Sequence, residues 1–261
     1  MIQSLFRLLT ELSSRKGISR TAGRIARSRF SRKLIPSFVR TYQIAAGEAE
    51  KPLEHYESLN EFFTRRLKPG SRPIDPAPDA VISPVDALIT GAGEIRDGQL
   101  LNIKGQDYTL EELLDRSPRC VNYTHGFYVI LYLSPADYHR IHVPAAGKIV
   151  EREHIRGKTY PVNEYGMRHI RRVLSRNERL VTYLMTAAGE IAIVKVGALN
   201  VSSIRYTEPQ RDVVDKGDEL AMFEFGSTVV LLFENGIFTP RHDLMINLKV
   251  KMGEALGTLH K

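Results

Sequence analysis

Four prolines within ten residues interrupt this chain and divide it into two parts. They are Pro69, Pro73, Pro76 and Pro78. Because proline fixes φ and has no backbone N–H to donate, such a segment excludes a continuous helix or a central strand. The segment therefore predicts a connector, and we place a domain boundary between residues 79 and 80.

The two sides of the connector have different sequence patterns. Before it, Ser58 and Glu61 form a capping box that opens a helical run at 59–67. After it, one further helix is predicted at 110–114, and short β-rich runs lie at 87–95, 126–133, 148–154, 180–186, 191–196, 219–225 and 228–233. The sequence thus predicts an α+β fold, with a helical region at 1–79 and a β-rich, sandwich-like domain at 80–261.

Two short segments of the β-rich part resemble each other. In residues 214–220 and 250–256, Gly217 and Gly253 each precede an acidic residue and a strand-like run. We interpret them as equivalent turns of one domain, because a repeat protein needs three or more stacked units. Similar turns occur in the small β-sandwiches that carry biotin or lipoyl groups. A carrier-like, non-enzymatic domain is therefore one alternative.

The positive charge of the chain is concentrated at its N-terminus. Residues 1–40 contain ten basic side chains and one acidic side chain, a net charge of +9, whereas the whole chain has a net charge of +7. A nucleic-acid-binding domain is expected to carry its basic residues on the folded module that contacts the nucleic acid. This distribution therefore argues against nucleic acid as a partner.

The same N-terminal segment has an apolar face. Its members are spaced three and four residues apart, as on one side of a helix, and are Ile2, Leu5, Phe6, Leu9 and Leu12. Beside so many basic residues, this face predicts peripheral binding to an anionic membrane surface. A helix packed on the protein's own core gives the same pattern, and an organellar transit peptide is also rich in Arg and Ser. The sequence contains no run of eighteen apolar residues, so it predicts no membrane-spanning helix.

The cysteine and histidine content predicts neither an internal disulfide nor a metal site. Cys120 is the one cysteine, which fits a reducing compartment. His139 and His142 are three residues apart, but the Glu of the zincin spacing and a cysteine cluster are both absent.

Three segments carry candidate reactive groups, and each has an ordinary structural explanation when taken alone. Asp86 follows a proline turn and is typical of a turn residue. His139 and His142 are typical of surface or hydrogen-bonded histidines. The dipeptide Gly226-Ser227 lies between two strand-like runs and is typical of a hairpin or a bulge.

Taken together, these segments resemble the phosphatidylserine decarboxylases, pyruvoyl-dependent lyases that are made as a single proenzyme chain. Eight blocks agree in order, at 58–67, 72–74, 83–86, 133–135, 138–142, 160–163, 196–198 and 225–228. Phe225 and Ala87 depart from the commoner Leu and Gly of the family, and positions 199 and 202 depart from the commoner Thr and Gly. The resemblance is to a short bacterial subtype, which argues against the transit peptide.

The resemblance implies a carboxy-lyase that converts phosphatidylserine to phosphatidylethanolamine. It implies cleavage between Gly226 and Ser227 into a large subunit, 1–226, and a small subunit, 227–261, which stay together. Residue 227 then becomes a pyruvoyl group, the covalent cofactor, which forms a Schiff base with the substrate amine and accepts electrons as carbon dioxide leaves. Glycine at 226 suits this cleavage, because it allows close approach and unusual backbone angles.

The resemblance also implies a role for each reactive residue. Asp86, His142 and Ser227 form the triad that cuts the chain, with His142 as the base and Asp86 as its orienting carboxylate. His139 assists decarboxylation or returns a proton to the α-carbon.

Because the acyl chains of the substrate stay in the bilayer, we expect a peripheral protein on the cytoplasmic face of the cell membrane. A pyruvoyl decarboxylase of a soluble amino acid is the enzymatic alternative, and the basic N-terminal segment argues against it. Pairing of two processed protomers into a homodimer remains open.

Overall fold

The computed structural model describes residues 23–103, 106–160, 162, 170–198, 204–224 and 227–260. It confirms the predicted α+β fold, in which a helical region is followed by antiparallel sheets. The predicted apolar face at 2–12 lies outside the described residues. Within them, no helix combines the length and the apolar character that crossing a bilayer requires.

Short helices form the part of the chain before the connector. Residues 23–27 are helical, and helices α1 and α2 are Ile35–Tyr42 and Leu59–Phe63. Short 3₁₀ segments lie at Arg29–Leu34, Ala46–Glu48 and Leu53–His55. These elements share a small apolar core of their own, which also contacts Ala136 of the following part.

Helix α2 begins where the capping box predicts and ends earlier than predicted. The Glu61 N–H donates to the Ser58 hydroxyl at 3.2 Å, and the Glu61 carboxylate accepts from the Glu57 N–H at 2.7 Å. At the other end, the Thr64 hydroxyl bonds back to the carbonyl of Asn60 at 3.0 Å. The chain then runs extended, because Leu67 pairs with Ala49 in an antiparallel bridge that replaces further helical bonds.

An eight-stranded antiparallel sheet forms the centre of the molecule. Its strands are β2 (Ala87–Glu94), β5 (Phe127–Leu133), β7 (Gly147–Ile155), β8 (Arg179–Met185), β9 (Glu190–Gly197), β11 (Val213–Val214), β13 (Ser227–Phe233) and β15 (Lys249–Val250). Their order across the sheet is β11-β7-β8-β9-β13-β5-β2-β15. The β-rich runs predicted in this sheet are confirmed to within about two residues.

Smaller elements cover the two faces of this sheet. Two three-stranded sheets are formed by β1 (Ala80–Ile82), β16 (Ala255–Leu259) and β14 (Phe238–Pro240), and by β10 (Ile204–Tyr206), β12 (Glu219–Phe223) and β6 (Arg140–His142). The remaining elements are the hairpin β3 (Gln99–Ile103) and β4 (Gln106–Thr109), a 3₁₀ segment at Pro118–Tyr123, and the helical turns α3 (Leu110–Leu113) and α4 (Val173–Arg176).

Strand β13 is buried on both faces. Val229 and Leu231 belong to one apolar core, whereas Val230 and Leu232 belong to the other. Successive side chains of a strand point to opposite faces, so a strand between two cores must be apolar throughout. This explains why the run 228–233 has no alternation of polar and apolar residues.

The two predicted equivalent turns are confirmed. Gly217 and Gly253 both have a left-handed backbone, with φ of 90° and 94°. The Gly217 N–H donates to the carbonyl of Val143 at 2.9 Å, and the Gly253 N–H donates to the carbonyl of Ser83 at 3.1 Å. A Cβ on Gly217 would lie 2.2 Å from the side chain of Ile74, and one on Gly253 would lie 2.2 Å from the carbonyl of Pro73. The connector thus packs against both turns.

The first strand begins at Ala80, directly after the connector. Whether residues 1–79 form a separate domain stays a prediction. Side chains of the helical region reach across the boundary, because Arg65 donates to backbone carbonyls of residues 136 and 137 and Arg72 donates to Asp86.

Candidate active site

Ser227 is the first residue of the central strand. Its backbone lies opposite Leu133 of β5 and Gly197 of β9, and every later residue of β13 is paired on both sides. These two ladders would hold 227–233 in the sheet after a cut before residue 227. Gly226, the other residue of the predicted cleavage bond, lies outside the described residues.

His139 is fully buried and bonds to the residue that follows the strand partner of Ser227. Its Nε2 donates to the carbonyl of Ser134 at 3.0 Å, and Ser134 directly follows Leu133. The imidazole stacks on the ring of Phe63, with the centroids 3.9 Å apart. The His139 carbonyl accepts from the Phe223 N–H at 2.9 Å, so strand β12, which precedes the predicted cleavage bond, also fixes the backbone of His139.

The surroundings of His139 keep it neutral. Burial lowers the pKa of its imidazole to about 3, and the positive charge of Arg65 acts in the same direction. The Ser134 carbonyl opposes this shift, because it accepts from the ring. His139 is therefore uncharged at neutral pH, with its proton on Nε2.

This neutral state predicts a pH dependence of stability. An unfolded histidine takes up a proton below about pH 6.5, whereas folded His139 stays neutral down to about pH 3. This residue alone therefore lowers the free energy of unfolding by up to roughly 1.4 kcal/mol for each pH unit below 6.5. We therefore introduce His139→Gln into Ser227→Ala protein, which is expected to stay uncut. Between pH 7 and pH 4.5, the melting temperature of this double variant should fall less than that of its Ser227→Ala parent.

The control for this experiment is His55→Gln, because His55 is exposed. Its melting temperature should follow the parent across the same pH range. Parallel curves for the His139 variant and its parent would contradict the assignment of a buried neutral imidazole.

His142 lies on β6 with both ring nitrogens bonded. Nδ1 donates to the carbonyl of Gly217 at 2.8 Å, and Nε2 accepts from the Tyr138 hydroxyl at 3.1 Å. Burial lowers the pKa of His142, while the Gly217 carbonyl and the negative charges of Glu219 and Asp86 oppose the shift. Nε2 is therefore the nitrogen that is able to accept a proton from a hydroxyl.

Asp86 is held by an arginine that the sequence analysis did not identify. Its carboxylate accepts from Arg72 at 2.8 Å through Nε and at 2.5 Å through Nη2, and from the Met252 N–H at 2.9 Å. The Asp86 segment adjoins His142, whose N–H donates to the carbonyl of Pro84 at 2.8 Å. The carboxylate of Asp86 thus bonds to Arg72 and Met252, and acts on the imidazole of His142 through charge.

The structure brings the predicted residues into one region, and each keeps a different set of bonds. The Asp86 carboxylate accepts from Met252, next to Gly253. His139 and His142 both contact β12, since the His139 carbonyl accepts from the Phe223 N–H and His142 lies opposite Glu219. The roles of Asp86, His142 and Ser227 as a triad, and of His139 in decarboxylation, stay predictions. In the part of the chain that the structure describes, no three His, Cys, Asp or Glu side chains are grouped so as to hold a metal ion.

A pocket that is lined in part by Arg140, the residue after His139, contains further cationic side chains. The pocket measures about 260 Å³ and is lined by residues of α2, the segment after it and β6, among them Thr64, Arg65, Arg66 and Arg140. Arg65 and Arg66 lie in the block 58–67 that carries the family resemblance, which is the only signal the sequence offers for them.

The comparisons with known proteins identify a family for this chain. A family model described as phosphatidylserine decarboxylase matches residues 59–258, a range that includes Asp86, His139, His142 and Ser227. A relative from Anoxybacillus flavithermus is 44% identical over 99% of this chain and 97% of its own length. One from Halalkalibacterium halodurans is 45% identical over 99% of both chains. One from Geobacillus kaustophilus is 43% identical over 97% of this chain and 96% of its own. Each of the three is named phosphatidylserine decarboxylase proenzyme. By the extent of these matches, the chain belongs to the phosphatidylserine decarboxylase family.

Proposed function

We propose that the protein is a proenzyme that cuts itself between Gly226 and Ser227 and then decarboxylates phosphatidylserine to phosphatidylethanolamine, as a carboxy-lyase. One observation carries this proposal beyond family membership. The imidazole of His139 bonds to the Ser134 carbonyl, and the residue before Ser134 lies opposite Ser227 in the ladder. These two contacts support a position for the His139 imidazole near residue 227, which would carry the reacting carbonyl.

The cut requires Ser227 to attack the carbonyl carbon of Gly226. Its hydroxyl loses a proton, the amide becomes an ester, and elimination leaves a carboxyl group on Gly226 and a dehydroalanine at 227. Hydrolysis then releases ammonia and leaves a pyruvoyl group. We assign the proton transfer to Nε2 of His142, which would exchange its bond with the Tyr138 hydroxyl for one with Ser227.

The site is compatible with a pyruvoyl group, because the chain would supply the group itself and the double ladder of β13 would hold residue 227. The group would supply a carbonyl that takes up electrons as carbon dioxide leaves the substrate. A phospholipid brings negative charge to His139, which raises the pKa of the imidazole toward its ordinary range. His139 is then able to carry the proton that the α-carbon needs.

We also propose that the N-terminal segment holds the protein on an anionic membrane at the cytoplasmic face. Residues 23–27 connect this segment to the site, because Arg27 forms an ion pair with the buried Glu224, two residues before Gly226. A membrane-bound N-terminal segment would therefore place the site at the bilayer that holds the acyl chains of the substrate. The predicted apolar face and its basic residues support this arrangement.

Changing the apolar face should release the protein from anionic vesicles. We expect Phe6→Glu with Leu9→Glu to leave most of the protein in the supernatant after vesicle co-sedimentation, because apolar burial is lost together with two units of charge. Salt should release the parent only in part, since it screens charge over about 10 Å at 0.1 M and leaves the apolar contribution. Self-cleavage should continue in the variant.

The matched control is Gln3→Glu with Ser4→Glu, which makes the same change in charge on the opposite side of the predicted helix. It should weaken binding less than the first variant does. Equal sedimentation of parent and Phe6→Glu, Leu9→Glu protein would show that another surface binds the lipid.

A further inference from the structure

Arg65 is a buried cation without a carboxylate partner among the described residues. It is 4% exposed, and its Nη2 donates to the carbonyls of Ala136 at 3.2 Å and Asp137 at 3.4 Å. Its Nε and Nη1 are buried and have no hydrogen-bond partner there. Burial lowers the pKa of Arg65, yet a guanidinium stays charged at neutral pH. A buried charge in this condition is costly unless a ligand pairs with it.

The pocket beside Arg65 has a surplus of positive charge. Four cations and two carboxylates line it, namely Lys51, Arg65, Arg66, Arg140, Glu50 and Glu61. The other three cations have carboxylate partners, because Lys51 pairs with Glu61 at 2.9 Å while Arg66 and Arg140 both pair with Glu219. Arg66 and Arg140 thus share one carboxylate, whereas Asp86 and Asp137 act on Arg65 only through charge. The surplus of positive charge therefore includes the buried guanidinium of Arg65, which has no ion pair among the described residues.

This cation lies close to the group that we assign to proton transfer. Arg65 bonds to the backbone two and three residues before His139, and Phe63, two residues before Arg65, stacks on the imidazole at 3.9 Å. In a phosphatidylserine headgroup, one carbon and one oxygen separate the amine-bearing carbon from phosphorus. A phosphate at Arg65 would thus be compatible with an amine near residue 227.

We propose that Arg65 binds the phosphodiester of the substrate headgroup, a role that rests on the proposed function. The substrate carboxylate is the other anion within reach, but it loses its charge as carbon dioxide leaves. An arginine that stabilised it would favour the ground state and slow the reaction. The phosphodiester keeps its charge throughout, so Arg65 contributes equally to the binding of substrate and transition state.

Replacing Arg65 should therefore change KM more than kcat. In Arg65→Gln, the loss of a charge-assisted hydrogen bond should raise KM for phosphatidylserine in mixed micelles roughly 10- to 100-fold, with kcat within about threefold of the parent. Arg65→Lys should recover part of the loss, because it restores the charge without the planar fork. Lys68→Gln makes the same charge change at an exposed position three residues away and should keep the parental KM.

Two soluble inhibitors distinguish the phosphodiester from the carboxylate. Glycerophosphoethanolamine has the phosphodiester alone, and L-serine has the carboxylate alone. Inhibition by glycerophosphoethanolamine should weaken at least tenfold in Arg65→Gln, while inhibition by L-serine stays the same. The opposite pattern, or a parental KM in a fully cut Arg65→Gln protein, would overturn the assignment.

The experiment also separates this inference from the proposed function. A parent that stays uncut or does not consume phosphatidylserine would contradict the proposed function, whereas an active parent with an unchanged variant contradicts only the role of Arg65. If Arg65→Gln does not accumulate as cut protein, the same inhibition measurements are made on Arg65→Lys. Inhibition of Arg65→Lys by both compounds to the same extent as the parent would overturn the proposal.

Discussion

Replacing Ser227 by alanine should leave the purified protein as one uncut chain without decarboxylase activity. Alanine has no hydroxyl to attack the Gly226 carbonyl and no oxygen to eliminate, so neither the cut nor the pyruvoyl group is able to form. The fold should persist, because residue 227 is held by backbone pairing with Leu133 and Gly197. Denaturing gels and an assay of carbon dioxide release measure both effects.

Ser227→Cys is the matched control, since a thiol keeps a nucleophile at the same position. It should show some cleavage, in contrast to the alanine variant. Cleavage of Ser227→Ala at the same bond, or decarboxylation by the uncut chain, would contradict the assignment of Ser227.

Replacing Asp86 by asparagine should both block self-cleavage and destabilise the protein. The side chain of Arg72 is 7% exposed and would keep Glu48 as its remaining carboxylate partner, 2.8 Å away. Removing one member of a buried ion pair costs about 3–5 kcal/mol, which corresponds to a fall in melting temperature of roughly 10 °C. Intact mass and thermal unfolding report the two effects separately.

A second change separates the structural role of Asp86 from its predicted catalytic role. In Asp86→Asn with Arg72→Gln, no guanidinium is left facing a neutral amide, so part of the lost stability should return. Cleavage should stay blocked if the carboxylate supports His142 through charge. Normal cleavage in this double variant would show that Asp86 serves only to hold Arg72.

The strands were predictable because each repeats a local pattern, whereas several boundaries depend on contacts between distant segments. In the run 228–233, every residue after Thr228 is apolar, and the strand is buried on both faces. Helix α2 ends at Phe63 because the following residues pair with residues 48–50, which no helix signal in 59–67 reveals. The turn after Ser134 is closed by the carboxylate of Asp137, which accepts from the Ser134 N–H at 2.6 Å.

The reactive residues of the site were predictable from resemblance, but their partners were not. The ion pair of Asp86 with Arg72 joins a residue of the connector to one fourteen positions later in the β-rich part. Arg65 and Arg66 carry the same charge, but Glu219, far away in sequence, pairs with Arg66 and not with Arg65. Neutralisation of a charge is a property of the folded chain, so composition alone does not reveal it.

The intact mass of the purified parent protein tests the central claim most directly. The proposed function predicts two masses, one for residues 1–226 and one for residues 227–261, with the second lighter by one ammonia than a peptide that begins with serine. A single mass for the whole chain would contradict self-cleavage. A small subunit with an unmodified serine at its start would contradict the pyruvoyl group.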